Sequence, residues 1–516
     1  MRVRSAQGKK AAVACGHSLA NAAAIGVFAD GGSVADAAIA GAVALNVVLP
    51  QACSLGGDCF ILAHTTGTTQ GINGSGPSPL GLPRAVTAEQ LAAGPLSCAV
   101  PGALGGLEAL HRQFGKLPWK RLLAPAIKLA RNGIPVGRDL ARGMQDYLDR
   151  LRADPGCRTL FLENDRPYAQ GALLQQPAMA RALEAIAADG TDAFYRGPVG
   201  KQLCAAVQER GGALSVDDLK AYAPIRVEPL ETRYRGHTVR AMPPNSYGAI
   251  MLMQLAALDG CNLSTLPADS PERFRLLIIA ARESFRLGRH FIADPACVGS
   301  STEHALDPRT VAEIQDALRA NTKRPAEAAH GHGTAVISVA NGAGDGVAIV
   351  QSVFAPFGGI VADPGTGFVL NNRLMGFSVK PGDINAPAPG KRPAHTLNPA
   401  MAFEDGRLAL VLATPGGSGQ TITLTQVLSN RIDLGMSLDA AIDAPRWSMD
   451  LKGNFTLEDA FGVTMVEALA SRGIDARVAT PDQRFFFGSA ECVEIGRDGS
   501  LTAAADYRRE AAAGAI

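Results

Sequence analysis

The chain has 516 residues, with 49 basic and 48 acidic side chains and a formal net charge of +1. Apolar residues make up 47% of the sequence and charged residues 19%, which is typical of a folded globular protein and excludes a disordered chain. The length corresponds to about two to four domain-sized units. The near-zero net charge argues against nucleic-acid binding as the main function.

No stretch of the sequence predicts a membrane span or an export signal. The longest apolar run, residues 37–50, has 14 residues, whereas a helix needs about 20 to cross a bilayer. The N-terminus has a basic start but only a short apolar patch, so we expect a cytoplasmic protein. The nine cysteines are scattered and form no C-x-x-C motif, which favours reduced and mostly buried thiols.

The first 300 residues are predicted to be rich in helix. Ser33 with Asp36 indicates a capped helix that runs to about Pro50, and Gly56-Gly57 forms a turn before a strand over 59–65. Ser215 with Asp218 indicates a second capped helix. Arg235-Gly236 is expected to join two strands. Further helices are predicted over residues 107–114, 119–132, 179–188, 246–258 and 271–289.

A polar segment, 321–333, separates this half from a strand-rich half. Its sequence NTKRPAEAAHGHG has no periodicity, so we expect a flexible tether in which His330 and His332 are exposed and bind no metal. Strands are predicted over 334–340 and 346–354, joined by an NGAGD hairpin turn. Another short strand is expected at 368–371, and a buried strand at 408–414 runs through Pro-Gly-Gly-Ser into a helix over 420–432.

Thr334 is a candidate N-terminal nucleophile. It begins a strand directly after the glycine-containing tether. Cleavage of the Gly333–Thr334 bond would give Thr334 a free α-amine with an ordinary pKa near 8, and such an amine can act as a general base for the hydroxyl. The alternative interpretation is an ordinary strand start.

Gly416 and Gly417 form a candidate oxyanion hole. They follow a buried strand and open a helix, where backbone N–H groups have no partner within the helix. Glycine also allows the backbone to approach a substrate closely. The alternative is an ordinary strand-to-helix turn, and the absence of G-x-x-x-x-G-K-[ST] argues against a phosphate loop.

Longer motifs occur around both candidate sites and along the rest of the chain. The second half of the chain carries TAVISVANG, GVAIVQS, FGGIVADPGTGFVLNNR, PGKRPAHTLNPAM, ATPGGSGQTIT, SLDAAIDAPRW and DYRR. The first half carries GGSVADAAIA, LPQACSLGGDCF, VPGALGGLEALHRQFGKLPW and AMPPNSYGAIML. Together these motifs resemble the gamma-glutamyltranspeptidase family of N-terminal nucleophile hydrolases. The resemblance covers nearly the whole chain, with the motifs in the family's order.

The resemblance implies an α+β fold, a four-layer αββα sandwich, and a precursor that cuts itself before Thr334. Residues 1–333 would form a large chain and residues 334–516 a small chain, intertwined in one structural unit. Ser352 would be the second hydroxyl beside the nucleophile, and Gly416 and Gly417 would bind the oxyanion. No cofactor or metal is implied, and two such two-chain units could form a dimer.

The glutamate-recognition residues of the family are largely missing. Relatives that handle γ-glutamyl groups bind the α-carboxylate with an arginine where this chain has Ser75. They bind the α-amine at positions that correspond here to Phe354, Arg373 and Gly376. A phenylalanine offers no hydrogen bond to an ammonium group, and an arginine repels it.

The replacement residues suggest a different substrate. Arg373 could bind a carboxylate through two parallel hydrogen bonds, and His395 and Thr396 take the place of paired serines. These positions resemble the oxamate amidohydrolase branch of the family. We therefore expect an amide hydrolase, with γ-glutamyl transfer or glutathione hydrolysis as the family's usual activity and a small carboxylate-bearing amide as the alternative. A non-catalytic binding module on the same fold is the alternative from another class.

Overall fold

The computed structural model describes residues 4–298, 304–320, 333–449 and 454–516. Its strands are β1 Arg4–Gly8, β2 Ala11–Cys15, β3 Asp58–Thr65, β4 Thr68–Gly74, β5 Ile134–Pro135, β6 Leu162–Glu163, β7 Arg166–Pro167, β8 Leu173–Leu174, β9 Ile225–Val227, β10 Leu230–Tyr234, β11 His237–Ala241, β12 Gly333–Asn341, β13 Gly346–Phe354, β14 Ala362–Asp363, β15 Phe368–Val369, β16 Ala400–Glu404, β17 Arg407–Ala413, β18 Trp447–Met449, β19 Phe455–Leu457, β20 Ala476–Val478, β21 Glu491–Ile495, β22 Leu501–Ala505 and β23 Ala512–Ala515.

The helices surround these strands and are most frequent in the first half of the chain. They are α1 Ser18–Ala29, α2 Val34–Val48, α3 Ala88–Ala92, α4 Ala103–Phe114, α5 Trp119–Asn132, α6 Arg138–Asp146, α7 Leu148–Ala153, α8 Pro155–Phe161, α9 Pro177–Asp189, α10 Asp192–Tyr195, α11 Pro198–Gln208, α12 Val216–Ala221, α13 Gly248–Asp259, α14 Pro271–Gly288, α15 Pro295–Val298, α16 Pro308–Ala320, α17 Gly419–Ile432, α18 Leu438–Asp443 and α19 Gly462–Ala470. No helix in the described ranges is long and apolar enough to cross a membrane.

Two seven-stranded antiparallel sheets form the centre of the molecule. The β12 sheet has the strand order β23-β2-β12-β13-β3-β4-β9, and the β17 sheet has the order β1-β22-β21-β17-β16-β11-β10. Both sheets combine strands from before and after residue 333, so neither sheet is complete without both parts of the chain. Gly333 is the first residue of β12, whereas residues 321–332 of the predicted tether, including His330 and His332, lie outside the described residues.

Apolar side chains divide the molecule into four layers. One cluster fills the space between the two sheets and includes Phe60, Val336, Val350, Val411 and Val493. A second cluster packs α2 and its neighbouring helices on the outer face of the β12 sheet, and a third packs α13, α14 and α17 on the outer face of the β17 sheet. The order helix, sheet, sheet, helix confirms the predicted α+β sandwich.

Local sequence signals were good predictors of the elements near the site. Ser33 and Ser215 both form the expected capping boxes, and β12 and β13 form the expected hairpin. The strand predicted at 368–371 is wrong at its end, because β15 stops at Val369. Asn371 instead bonds the carbonyls of Gly56 and Ala99 and turns the chain away from the sheet. All nine cysteines are free, and seven are buried.

Candidate active site

The candidate nucleophile lies at the start of β12, opposite a second hydroxyl on β13. Thr334 and Ser352 are direct partners in the ladder, and the Thr334 hydroxyl donates to Ser352 Oγ over 3.3 Å. Ser352 in turn donates to the carbonyl oxygen of Gly333 at 2.5 Å and accepts the N–H of Phe354 at 2.7 Å. The hydroxyl at position 352 therefore contacts both the candidate nucleophile and the peptide bond that precedes it.

Gly333 sits where a larger residue does not fit. The ladder is irregular between Gly333 and Thr334, and Gly333 pairs with Phe354 instead of Val353. A Cβ added at Gly333 would lie 2.6 Å from the carbonyl oxygen of Ala355. Glycine at this position lets the chain pass close to the end of β13, which brings the Gly333 carbonyl within reach of Ser352.

Three polar side chains form a row across neighbouring strands of the β12 sheet. Thr334 pairs with Ser352, and Ser352 pairs with Asp58 at the start of β3. Directly paired residues point to the same face of a sheet, and residues two positions apart share that face. The residues two positions further along these strands belong to the core between the sheets; they are Val336, Val350 and Phe60. The row therefore marks the edge of that core and faces the β17 sheet.

Asp58 binds Arg373 and approaches His395, and this cluster was not predicted from the sequence. Arg373 donates from Nε and Nη2 to the two carboxylate oxygens of Asp58 at 2.7 and 3.0 Å. His395 Nε2 lies 3.0 Å from Asp58 Oδ2, although it is not aligned for a hydrogen bond. All three side chains are at most 1% exposed, so the cluster is a buried extension of the nucleophile row.

The charges in this cluster nearly cancel. Burial opposes ionisation of Asp58, but Arg373 and His395 outweigh it and lower the pKa of Asp58 to about 2. Burial and the nearby Arg373 lower the pKa of His395 to about 4, against the opposing effect of Asp58. At neutral pH the cluster thus contains an ionised carboxylate, a guanidinium and a neutral imidazole that accepts the N–H of Leu397 at Nδ1.

Phe354 connects the two halves of the site. Its ring lies under the Arg373 guanidinium, 4.2 Å from the ring centre to Cζ, which is a cation–π distance. Its φ of 79° is unfavourable for a bulky residue and costs roughly 1–3 kcal/mol. Such strain is concentrated at functional sites, and here it orients the N–H that binds Ser352. Within the described part of the chain, Nη1 of Arg373 is buried and has no hydrogen-bond partner.

The candidate oxyanion hole lies where β17 leads into α17. Gly416 and Gly417 have φ values of 130° and 58°, which favour glycine. Their N–H groups have no acceptor among the described residues, although both residues are buried. Buried N–H groups without partners are rare in proteins, so this pair can bind a developing negative charge. Pro415, directly before them, lines the same cleft as Thr334.

The remaining predicted residues are held within the protein. Ser75 follows β4 and is fully buried, and its hydroxyl donates to Asn73 Oδ1 at 2.6 Å. The Asn73 amide nitrogen in turn donates to Asn245 Oδ1 at 2.8 Å. Thr396 is 3% exposed, and its hydroxyl has no hydrogen bond within the described ranges. Those ranges contain no group of three or more histidine, cysteine or acidic side chains that could hold a metal ion.

Two facing antiparallel sheets between helical layers, with a hydroxyl beginning an inner strand, define the N-terminal nucleophile hydrolases. The comparison with known sequences then identifies the family. The gamma-glutamyltranspeptidase profile matches residues 20–516, and the chain belongs to that family. It is thus a self-cleaving amide hydrolase made as a proenzyme, as predicted from the sequence.

Relatives with different names are similarly close. The chain is 30% identical to the glutathione hydrolase-like YwrD proenzyme of Bacillus subtilis, covering 99% of both chains. It is 32% identical to the oxamate amidohydrolase proenzyme of Klebsiella pneumoniae, covering 96% of this chain and 97% of the relative. The crystal structure of cephalosporin acylase from Bacillus halodurans superposes with a TM-score of 0.93 at 30% identity, covering 100% of this chain and 97% of the acylase.

Proposed function

We propose that Thr334 is the nucleophile of this amide hydrolase and that its substrate is a small amide whose acyl part carries a carboxylate. In the precursor, Thr334 Oγ1 attacks the Gly333 carbonyl carbon. The bond from that carbon to the Thr334 nitrogen breaks, the nitrogen takes up the hydroxyl proton, and water hydrolyses the new ester. The freed α-amine of Thr334 then serves as the base for later turnovers. The arrangement of Thr334, Ser352 and the Gly333 carbonyl is the observation that carries this part of the proposal.

Acyl transfer to the mature enzyme follows the same geometry. The Thr334 hydroxyl attacks the amide carbon of the substrate, and the amine leaves with a proton. The N–H groups of Gly416 and Gly417 bind the oxygen that becomes negatively charged, an effect worth about 2.7–4 kcal/mol per donor in comparable sites. Water then attacks the acyl carbon and releases the acid.

The substrate preference is inferred from the Asp58–Arg373 pair. A γ-glutamyl group would place its α-ammonium near the Arg373 guanidinium, and the nearest carboxylate, Asp58, is already bound to that guanidinium. An acyl group with a carboxylate can instead accept hydrogen bonds from Arg373 Nη1, whose buried N–H groups have no partner among the described residues. The name of the Klebsiella pneumoniae relative supports this choice.

The test is a comparison of two substrate classes. Ammonia release from oxamate and from short dicarboxylic monoamides is measured beside hydrolysis of γ-glutamyl-p-nitroanilide. Arg373→Ala should raise KM for the carboxylate-bearing amides by roughly 10- to 100-fold, which corresponds to about 1.5–3 kcal/mol for hydrogen bonds to a charged group. Arg373→Lys keeps the positive charge but loses the forked guanidinium, so its KM should lie between those of the wild type and Arg373→Ala.

The control is Arg497→Ala, which removes an arginine that is 65% exposed and paired with Glu404. It should leave both activities unchanged. Robust γ-glutamyl hydrolysis that Arg373→Ala does not affect would contradict the proposed substrate and favour glutathione hydrolysis, which the name of the Bacillus subtilis relative suggests. Absence of both activities in a cleaved protein would favour another acyl group.

We also propose a cytoplasmic location and a dimer of two-chain units. Cell fractionation tests the location. The dimer is based on the family resemblance, and light scattering of the cleaved protein tests it.

A further inference from the structure

A second polar cluster shares a cleft with Thr334, and neither Asp58, Arg373 nor His395 lines that cleft. Its centre is Glu491, the first residue of β21 in the β17 sheet. Val493 and Ile495 on the same strand belong to the core between the sheets, so the Glu491 side chain points into that space as well. The carbonyl of Glu491 accepts the Ser338 hydroxyl from β12 at 2.7 Å, which ties this strand to the strand of Thr334.

Glu491 lines a small cleft that also contains Thr334. The cleft has a volume of about 40 Å³. Its wall includes Gln51, Thr334, Pro415, Ser489, Glu491 and Arg509. A bound water needs on the order of 10–15 Å³ measured in this way, so the cleft has room for one or a few water molecules and is too small for an amino acid.

Three buried polar atoms of this wall have no hydrogen-bond partner in the described parts of the chain. They are Oε1 of Gln51, Oε2 of Glu491 and Nε of Arg509. The other Glu491 oxygen accepts the Ser489 hydroxyl, and Nη2 of Arg509 donates to the carbonyl of Phe485 at 3.3 Å. Two oxygens and one N–H are the set that a water molecule satisfies, since it donates two hydrogen bonds and accepts others.

We propose that Gln51, Glu491 and Arg509 bind the water that hydrolyses the ester on Thr334, both in self-cleavage and in turnover. The water oxygen bonds to the acyl carbon and the bond from that carbon to Thr334 Oγ1 breaks. One water proton ends on Oγ1, and the other stays with the new acid. The Arg509 N–H binds one lone pair of the water, and the second lone pair faces the acyl carbon.

Glu491 can also assist in moving the proton. Burial raises the pKa of Glu491 well above its usual range, Asp506 raises it further, and Ser489, Arg509 and Arg446 oppose this. A carboxylate with a raised pKa is a stronger base toward a water proton. A site of this size also favours water over larger amines as the acyl acceptor, and thus hydrolysis over transfer.

The test uses self-cleavage of the full chain and needs no external substrate, so it does not depend on the proposed substrate. In Glu491→Ala and Gln51→Ala, cleavage at Gly333 in buffer should be roughly 10- to 100-fold slower than in the wild type, as expected for loss of hydrogen bonds to a reacting group. Hydroxylamine, a stronger nucleophile that needs no bound water, should restore cleavage and leave a hydroxamate on Gly333 that mass spectrometry distinguishes from the acid.

Glu494→Ala is the matched control. It removes a second glutamate from β21, one that pairs with Arg431 away from the cleft, and it should cleave like the wild type. If hydroxylamine restores cleavage in Glu491→Ala but not in Thr334→Ala, the water site is supported, because only Glu491→Ala still makes an ester. Slow cleavage of Glu491→Ala that hydroxylamine does not restore would overturn the proposal and assign Glu491 a structural role. Cleavage of Glu491→Ala at the wild-type rate would also overturn the proposal.

Discussion

Replacement of Asp58 by asparagine should destabilise the protein strongly, because it leaves a buried guanidinium without its counter-charge. Arg373 is 0% exposed and binds both oxygens of Asp58. Removing one partner of such a buried pair typically costs about 3–5 kcal/mol. An unfolding entropy of about 2.1 cal/mol/K per residue gives roughly 1.1 kcal/mol/K for 516 residues, so we expect Tm to fall by about 3–5 °C.

The measurement is thermal unfolding by calorimetry in a Thr334→Ala background. This background keeps every sample as one uncut chain, so that a change in self-cleavage caused by Asp58→Asn does not alter the comparison. Both variants are scanned at the same rate, since unfolding of a protein of this size can be irreversible.

Glu404→Gln is the control for loss of one negative charge. Glu404 pairs with Arg497 at the surface, where the side chains are 36% and 65% exposed, and such pairs contribute about 0–1 kcal/mol. Its Tm should therefore change by about 1 °C or less. An Asp58→Asn variant that unfolds at the same temperature as Glu404→Gln would refute the buried-pair reasoning and imply that Arg373 finds another partner or reaches water.

Three further outcomes are expected. Thr334→Ala should remain one 516-residue chain on a denaturing gel and be inactive, whereas the wild type should give a smaller chain with the N-terminal sequence Thr-Ala-Val-Ile. Ser352→Ala should slow self-cleavage and turnover by roughly ten- to a hundred-fold, as for loss of about 1–3 kcal/mol, and a wild-type rate would limit Ser352 to a structural role. Folding favours the neutral form of His395 and lowers its pKa from 6.5 to about 4. The contribution of His395 to stability is therefore complete above pH 6.5 and is lost as the pH falls to 4. Thermal scans across this range should show a smaller decrease in Tm for His395→Gln than for the wild type.

The predictable parts of the site are those that depend on short stretches of sequence. Thr334 and Ser352 face each other because a hairpin turn fixes the register of β12 and β13, and both strands carry a recognisable pattern. Gly416 and Gly417 were found because a glycine pair after a buried strand indicates a tight turn into a helix. In each case, the information lies within a few residues of the functional group.

The missed parts depend on contacts between distant segments. Asp58 and Arg373 are 315 positions apart, and only the pairing of β3 with β13 places the carboxylate beside Ser352. The sequence shows an arginine at position 373 but not the direction of its guanidinium. The two parallel hydrogen bonds that were expected to bind a substrate carboxylate bind Asp58 instead. The signal that could have identified Asp58 is a charged residue between a glycine turn and the five apolar residues 59–63, since a buried charge needs a partner.

Ser352 connects the self-cleavage reaction with later catalysis through a chain of hydrogen bonds. The Thr334 hydroxyl donates to Ser352, Ser352 donates to the Gly333 carbonyl, and the Phe354 N–H donates to Ser352. As Thr334 Oγ1 attacks the Gly333 carbon, its proton can pass to Ser352 while the Ser352 proton moves to the carbonyl oxygen. Cleavage then frees the Gly333 carboxyl to leave, and the same Ser352 donor becomes available beside the mature nucleophile. The strained backbone of Phe354 is thus explained by one hydroxyl that must be held in place for both reactions.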